Sequence, residues 1–382
     1  MPSPRTIALR FGALLAGASV IAAVVLACED DPHKRTSKEQ ATTTGGACSA
    51  PPGQFPEPNC DNSDKKCDPT PGCTIDEARC GSATTCLPIG SNKGKDVLDF
   101  RIRRLNIAAP PQLATDFIQN TVVTLNIDLN EQSCGELGKG LFTWLLQVDK
   151  KQNTLTTGGA PPPSDPIGQG FCFATFDVGG SKVEPMHTSI AFDANGTTFK
   201  TLEKKKLSVP IFLANELASV VLLPLSDVIL QGVTLSNDGD CIGAFNQAAL
   251  DPTCVDDRAL CSKWATAGSL GGYITLEEAD TVKIRDLSNK SLCSLLAGDS
   301  TLACARDGAG KIVFKGDYCS TDKTPASCAD SVWLAATFAA SAAKIFDGTG
   351  TVAGCSGTTV ATDAGTDASD ASADSGDAGD GG

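Results

Sequence analysis

Side chains able to do chemistry are few in this chain, and their spacing narrows what they do. His33 and His187 are the two histidines in 382 residues. A serine or cysteine hydrolase needs a base held against its nucleophile. His187 alternates with Met186, Ile190 and Phe192 on a predicted strand, which turns it away from their apolar face. There is no Gly-x-Ser-x-Gly segment to supply a nucleophile elbow. Ser-x-x-Lys occurs at Ser63–Lys66, Ser320–Lys323 and Ser341–Lys344, the last on a candidate helix, but no Ser-Asp-Asn or Lys-Thr-Gly partner accompanies it. Glu277 and Glu278 stand where a helix N-terminus favours acids in any case. A pair of glycan-cleaving carboxylates is recognised by separation in space and leaves no mark in the chain order. The sequence therefore assigns no catalytic residue, no cofactor and a non-enzymatic reading.

Cysteine is the richer signal. Cys28 stands apart near the N-terminus, and sixteen others follow: Cys48, Cys60, Cys67, Cys73, Cys80, Cys86, Cys134, Cys172, Cys241, Cys254, Cys261, Cys293, Cys304, Cys319, Cys328 and Cys355. Zinc sites favour Cys-x-x-Cys pairs or Cys/His clusters, and this chain has neither, so no metal is assigned. An even number of thiols in an oxidising compartment predicts disulfides. Short loops close easily, which favours Cys254–Cys261, Cys293–Cys304 and Cys319–Cys328. Cys134–Cys172 is the expected bridge within the β region.

The compartment follows from the first thirty residues. Arg5 and Arg10 precede an uncharged apolar run, Phe11 to Ala27, which ends in Val25-Leu26-Ala27-Cys28 before Glu29-Asp30-Asp31. A basic start, an apolar middle and small residues at the end lay out an export signal. The four residues resemble the lipobox of bacterial lipoprotein precursors. That resemblance implies cleavage before Cys28 and acylation of Cys28. The mature chain is then held to a bacterial membrane by acyl chains, on the periplasmic or outer-membrane side. Several acyl chains hold firmly where one binds marginally.

The net charge is −14, near −16 without Arg5 and Arg10, and six aspartates sit in the last twenty-two residues. An acidic chain with no basic stripe repels phosphate backbones, which excludes nucleic acid as a partner. The partners expected beyond the membrane are an unknown envelope protein, a glycan or an apolar ligand.

The elements that would position any site divide the chain into a signal peptide (1–27), a flexible tether (28–47), a small disulfide-rich module (48–90), an antiparallel β domain (96–236), a Cys-rich mixed segment packed on it (237–357) and a disordered acidic tail (358–382). In the module, Cys60, Cys73 and Cys86 repeat every thirteen residues with Cys67 and Cys80 between, as a short duplication would. From Val97 the apolar period is two, slipping at Arg103-Arg104 as a β-bulge would make it. Further strands are predicted at Val123–Leu129, Phe142–Val148, Phe171–Thr175, Met186–Phe192, Thr197–Leu202, Val209–Leu213, Val220–Leu225 and Val228–Leu235, with Pro224 at an edge or kink. Residues 149–168 read as a loop, and Asn195-Gly196 as a hairpin turn. Helices are expected at Ile242–Leu250, Leu276–Asp280, Ser291–Ala297 and, capped by Asp330, Ser331–Lys344. The fold class is mainly β: an antiparallel β-sandwich or barrel with a C-terminal Cys-rich α+β segment. Trp264, in a Cys-rich loop beside Lys263, is the aromatic expected to face a ligand, while Trp144 falls on an apolar stripe and is expected in the core.

Overall fold

Leu98, Phe100 and Ile102 enter the main core from one side of strand β1 (Val97–Ala109), while Arg101 turns to the other, as the pleat requires. At the predicted slip, the register against the neighbouring strand jumps between Ile102 and Arg104, leaving Arg103 as the extra residue of a bulge. After it, Leu105 and Ile107 pack with the cores and Arg104 faces the way of Arg101. The inserted residue thus lets two consecutive arginines share one face.

The computed structural model describes residues 80–82, 84–131, 136–178, 181–212, 220–245, 264–284, 287–325, 327–346, 355 and 358–359. Cys28 and the predicted signal, tether and most of the disulfide-rich module, together with Cys134, Cys254, Cys261 and nearly all of the acidic tail, lie outside them.

Eleven strands form the main sheet. After β1 come β2 (Thr143–Asp149), β3 (Thr154–Ala160), β4 (Met186–Phe192), β5 (Thr198–Thr201), β6 (Lys205–Phe212), β7 (Val220–Gln231), β8 (Val233–Thr234), β9 (Cys241–Ile242), β10 (Ser269–Thr275) and β11 (Ser331–Ala342). The order is β6-β7-β10-β11-β1-β2-β3-β4-β5-β8, with β9 also on β11, and every pairing is antiparallel. One end of this path, β8, is continuous in sequence with β7, which lies next to the other end. Gly232, at φ +59°, turns β7 into β8, and β8 pairs Val233 with Phe199 and Thr234 with Thr198 of β5. The sheet therefore curls until β8 carries the chain of β7 on to β5. Phe100, Trp144, Leu146, Phe199 and Phe338 fill the inside. The mainly β class and its curled antiparallel sheet are as the sequence predicts.

Local signals predict several pieces well. Asp193 accepts the N–H groups of Thr197 and Thr198, and Gly196 at φ +69° closes the β4–β5 hairpin. Helix α1 (Leu276–Thr281) starts with a reciprocal capping box between Thr275 and Glu278. Helix α2 (Leu292–Ala297) is capped by Ser291 and ends at left-handed Gly298. Pro224 lies opposite Ser208 on β6, before β10 takes up the second edge of β7 at Ser226.

Five predictions are corrected. Phe171–Thr175 is not a strand: Phe171 makes an isolated bridge with Ile345, and 172–175 are irregular. Val123–Leu129 is not a strand: Ile118–Thr124 is a π-helical stretch continued by an α-turn at Leu125–Ile127. β11 pairs β1 along Phe100–Ala109 and β2 over Val97–Arg101, and this segment lies across the arginine face, where Ile127 O and Thr124 Oγ1 accept from Arg101 and Arg104. Residues 154–160 are strand β3 and not loop. Its glycines fit because a Cβ on Gly159 would lie 2.4 Å from Pro210 Cγ, and one on Gly158 3.1 Å from Pro185. Ser331–Ala342 is a strand and not a helix, flanked by β1 and β10, and its alanines are the small side chains that both covered faces admit. Ile242 and Ala244-Phe245 are strand residues where a helix was expected, and 246–250 lie outside the described residues. Within 237–357, strands β9, β10 and the central β11 belong to the main sheet.

Four disulfides with both cysteines among the described residues tie these elements: Cys86–Cys241, Cys172–Cys355, Cys293–Cys304 and Cys319–Cys328, and Cys80 is disulfide-bonded as well. The last two are the predicted short-range pairs. Cys172 is joined to Cys355, which corrects the expected bridge to Cys134.

Two carboxylates hold the C-terminal half. Asp280 takes bonds from Cys304 N–H, the Ser291 hydroxyl and Arg306; burial opposes ionisation, but these donors keep its carboxyl below the ordinary value. Asp330 is likewise lowered, burial being outweighed by Ser320 N–H and the Ser320 and Ser331 hydroxyls. A depressed folded pKa contributes stability above the unfolded value of about 4 and loses it as pH falls through the folded value. Urea titrations are expected to show unfolding free energy falling below about pH 4. Asp280→Asn is expected to lower the pH 7 value and flatten that fall; an unchanged slope would contradict the assignment.

Candidate functional site

The most unusual chemistry among the described residues is on the outer face of β1, where Arg101, Arg103 and Arg104 are each at most 1% exposed. An arginine stays charged in a protein, so each guanidinium needs acceptors in place of water. Arg103 is met by a carboxylate fork, with Nε 3.3 Å from Glu136 Oε1 and Nη2 2.9 Å from Oε2. Its Nη1 donates to Leu87 O at 2.8 Å, and its guanidinium lies 5.4 Å from the Trp264 ring centre.

Arg101 has no such fork. It donates to Ile102 O at 3.1 Å and Ile127 O at 2.6 Å, and lies over the Phe171 ring. Burial above all, then repulsion from Arg103, pushes its pKa down to about 10 against the pull of Glu136 and Asp128. Arg104 donates to Asn106 Oδ1 at 2.6 Å and Thr124 Oγ1 at 3.1 Å. Gln119 completes the seam. Its amide takes the Ile107 N–H and donates to Leu105 O and Thr124 Oγ1. Two of the acceptors, one for Arg101 and one for Arg104, come from the segment that a strand prediction misplaced. Its bends deliver the Ile127 carbonyl and Thr124 hydroxyl to the sheet. This site grips its own chain.

The residues singled out by sequence are dispersed. His187 is exposed on β4, with Nδ1 2.9 Å from Thr156 Oγ1. Ser341 is fully buried on β11, donating to Cys86 O and accepting from Arg103, so it is no helix-borne nucleophile. Ser320 donates to Asp330. Glu278 is spent on its cap and Lys206, and Glu277 on Arg306. Trp264 corrects the expectation of a ligand-facing aromatic: it is 2% exposed, edge-on to Phe245. Trp144 is in the core, as expected. Two groups bring a carboxylate and two sulfurs within 4.8 Å, Asp280 with Cys293 and Cys304, and Asp330 with Cys319 and Cys328. In each the sulfurs are joined as a disulfide, which removes the thiolates that a soft metal needs.

Two surface clefts stay open. One of about 440 Å³ lies between Val220–Leu222 of β7 and residues Thr281, Val282, Lys283 and Asn289. The other, about 300 Å³, is polar, lined by turns carrying Asn92, Lys95, Lys150, Asn195, Ser236 and Asp238. Among the described residues, no helix is long and apolar enough to cross a membrane. No family model, curated protein or solved structure matches the chain.

Sequence reading located the bulge but not what it presents, since nothing in Arg-Ile-Arg-Arg marks burial. The available signal was Leu105 and Ile107 after the slip, which leaves both Arg103 and Arg104 facing away from the core.

The fork gives a direct test. Breaking one partner of a buried ion pair leaves an uncompensated charge and costs about 3–5 kcal/mol. Glu136→Gln is expected to lower unfolding free energy by about that much in urea, whereas Arg103→Met with Glu136→Leu loses far less. A loss below about 1 kcal/mol for Glu136→Gln would show that the pair is solvated.

Proposed function

We propose that this protein is a lipid-anchored, disulfide-stabilised component of the bacterial cell envelope that works by binding or as a structural part, and not by catalysis. The observation that carries this reading is how the candidate reactive groups are used. Ser341, Ser320, Glu277, Glu278 and the cysteines of the Cys-x…-Cys pairs are all engaged in holding the fold. What is left for a partner is surface, chiefly the two clefts. The cleft lined by turns, with two lysines and several amide and hydroxyl groups, suits an envelope glycan or protein. An apolar ligand is served less well, because the inside of the sheet is taken by aromatic and aliphatic side chains. It would have to sit in the cleft beside Val220–Leu222. Four disulfides also fit an exported chain, since such bridges persist in oxidising compartments.

Cys28 decides the anchoring. In an expressing bacterium, the wild-type N-terminal peptide is expected to begin at Cys28 and carry acyl mass, with the protein in the membrane fraction. Cys28→Ser is expected to remain uncut or to be released. A correctly cleaved, unacylated Cys28→Ser product retained in the membrane would contradict the reading.

A further inference from the structure

The disulfides differ in what surrounds them. Cys86, Cys241, Cys172, Cys355, Cys293 and Cys304 are all buried. In the remaining pair, Cys319 is fully buried but Cys328 is exposed. A thiolate attacks one sulfur of a disulfide along the bond and expels the other, so access and the quality of the leaving sulfur set the rate. Both favour this bridge. The exposed partner is Cys328, and the sulfur that would leave, Cys319 Sγ, already accepts the Asp322 N–H at 3.4 Å. A donor aimed at a developing thiolate stabilises it.

The loop closed by this bridge does something specific. The two cysteines are 9 residues apart, and between them Lys323, in left-handed backbone at φ +57°, reaches back to the sheet. Its ammonium donates to the Tyr273 hydroxyl, lies 4.4 Å from that ring's centre and 3.4 Å from Asp227 Oδ2. Beneath it, Tyr273, Tyr318 and Trp333 stack in sequence, with ring centres 5.1 Å apart at each step. Both tyrosines of the chain are in this cluster.

We propose that Cys319–Cys328 is a thiol–disulfide exchange site that takes a dithiol as its reaction partner, and that its opening releases Lys323 from the aromatic cluster. The dithiol's thiolate bonds to Cys328 Sγ and the Cys328–Cys319 bond breaks, Cys319 leaving as a thiolate that is then protonated. The reagent's second thiol displaces Cys328 from the mixed disulfide. The protein pair gains two electrons and two protons, and the dithiol is oxidised to its disulfide. With the bridge closed, Cys319 N–H bonds Thr324 O and Lys323 N–H bonds Cys319 O, a turn that holds Lys323 over the rings and that opening loosens. The two thiols are 9 residues apart, so oxidation closes the bridge again. Asp330, whose carboxylate is within 4.8 Å of both sulfurs, opposes the incoming thiolate, but Ser320 and Ser331 engage its oxygens.

The test uses the full chain in detergent, treated with dithiothreitol for increasing times, quenched with an alkylating reagent and mapped by mass spectrometry. Alkylation of Cys319 and Cys328 at least tenfold faster than of Cys86–Cys241, Cys172–Cys355 and Cys293–Cys304 is expected. A smaller ratio to any of them overturns the assignment. Glutathione, which cannot complete the second step intramolecularly, is expected to be trapped on Cys328; an adduct chiefly on Cys319 overturns the direction of attack. Acylation of the Lys323 amine is expected to rise at least threefold once the bridge is open. A smaller rise overturns the release of Lys323.

Discussion

Three guanidiniums buried side by side on one central strand are the constraint around which this structure is arranged. Removing a charge from water costs several kcal/mol even after relaxation, and neighbouring cations add repulsion. The strand supplies two acceptors itself, Ile102 O for Arg101 and Asn106 Oδ1 for Arg104. Most of the others come from the connection between β1 and β2. It crosses the outer face and lowers carbonyls, hydroxyls and Glu136 onto the arginines. Hydrogen bonds to charged groups are worth about 1.5–3 kcal/mol each, so a set of them offsets the burial and fixes the connection in one place.

The rest of the sheet conforms to that covered face. Strand β11 lies beneath the arginines and carries Ala339, Ser341 and Thr337 there, while Phe338 and Ala340 turn to the main core. Larger side chains on the first three would displace the guanidiniums. Cys86–Cys241 fastens the same region from the side, placing Leu87 where its carbonyl meets Arg103. At the far side, Gly232 turns β7 into β8, which pairs with β5 and brings the two sides of the curl together. A body built this way offers partners its turns and clefts rather than an internal cavity.

The sequence is legible where a local rule acts alone. The slip at Arg103-Arg104, the Asp193–Gly196 turn, the Thr275 box and the Ser291 and Gly298 caps each depend on a few adjacent residues, and each is where the rule puts it. Reading fails where contacts distant in sequence override propensity. Val123, Leu125, Ile127 and Leu129 alternate as a strand would, but the arginines require bent backbone there. Thr154–Ala160 carries glycines at 158 and 159 because Pro185 and Pro210 press on them, which hides the strand from an apolar pattern. Ser331–Ala342 looks helical because alanine is the best helix former, yet here alanine is chosen for size. The candidate chemistry was legible mainly by subtraction. The chain contains few reactive residues, and the structure occupies most of them.

Hydrogen–deuterium exchange over residues 122–130, in the wild type and in Arg101→Met, tests the arginine account most directly. If the guanidiniums hold this segment down, its amides are protected in the wild type. In the variant, which loses the bond to Ile127 O, they exchange at least tenfold faster while β2 keeps its protection. Equal protection of 122–130 in both proteins would mean that the segment holds itself in place and that the arginines are passengers beneath it.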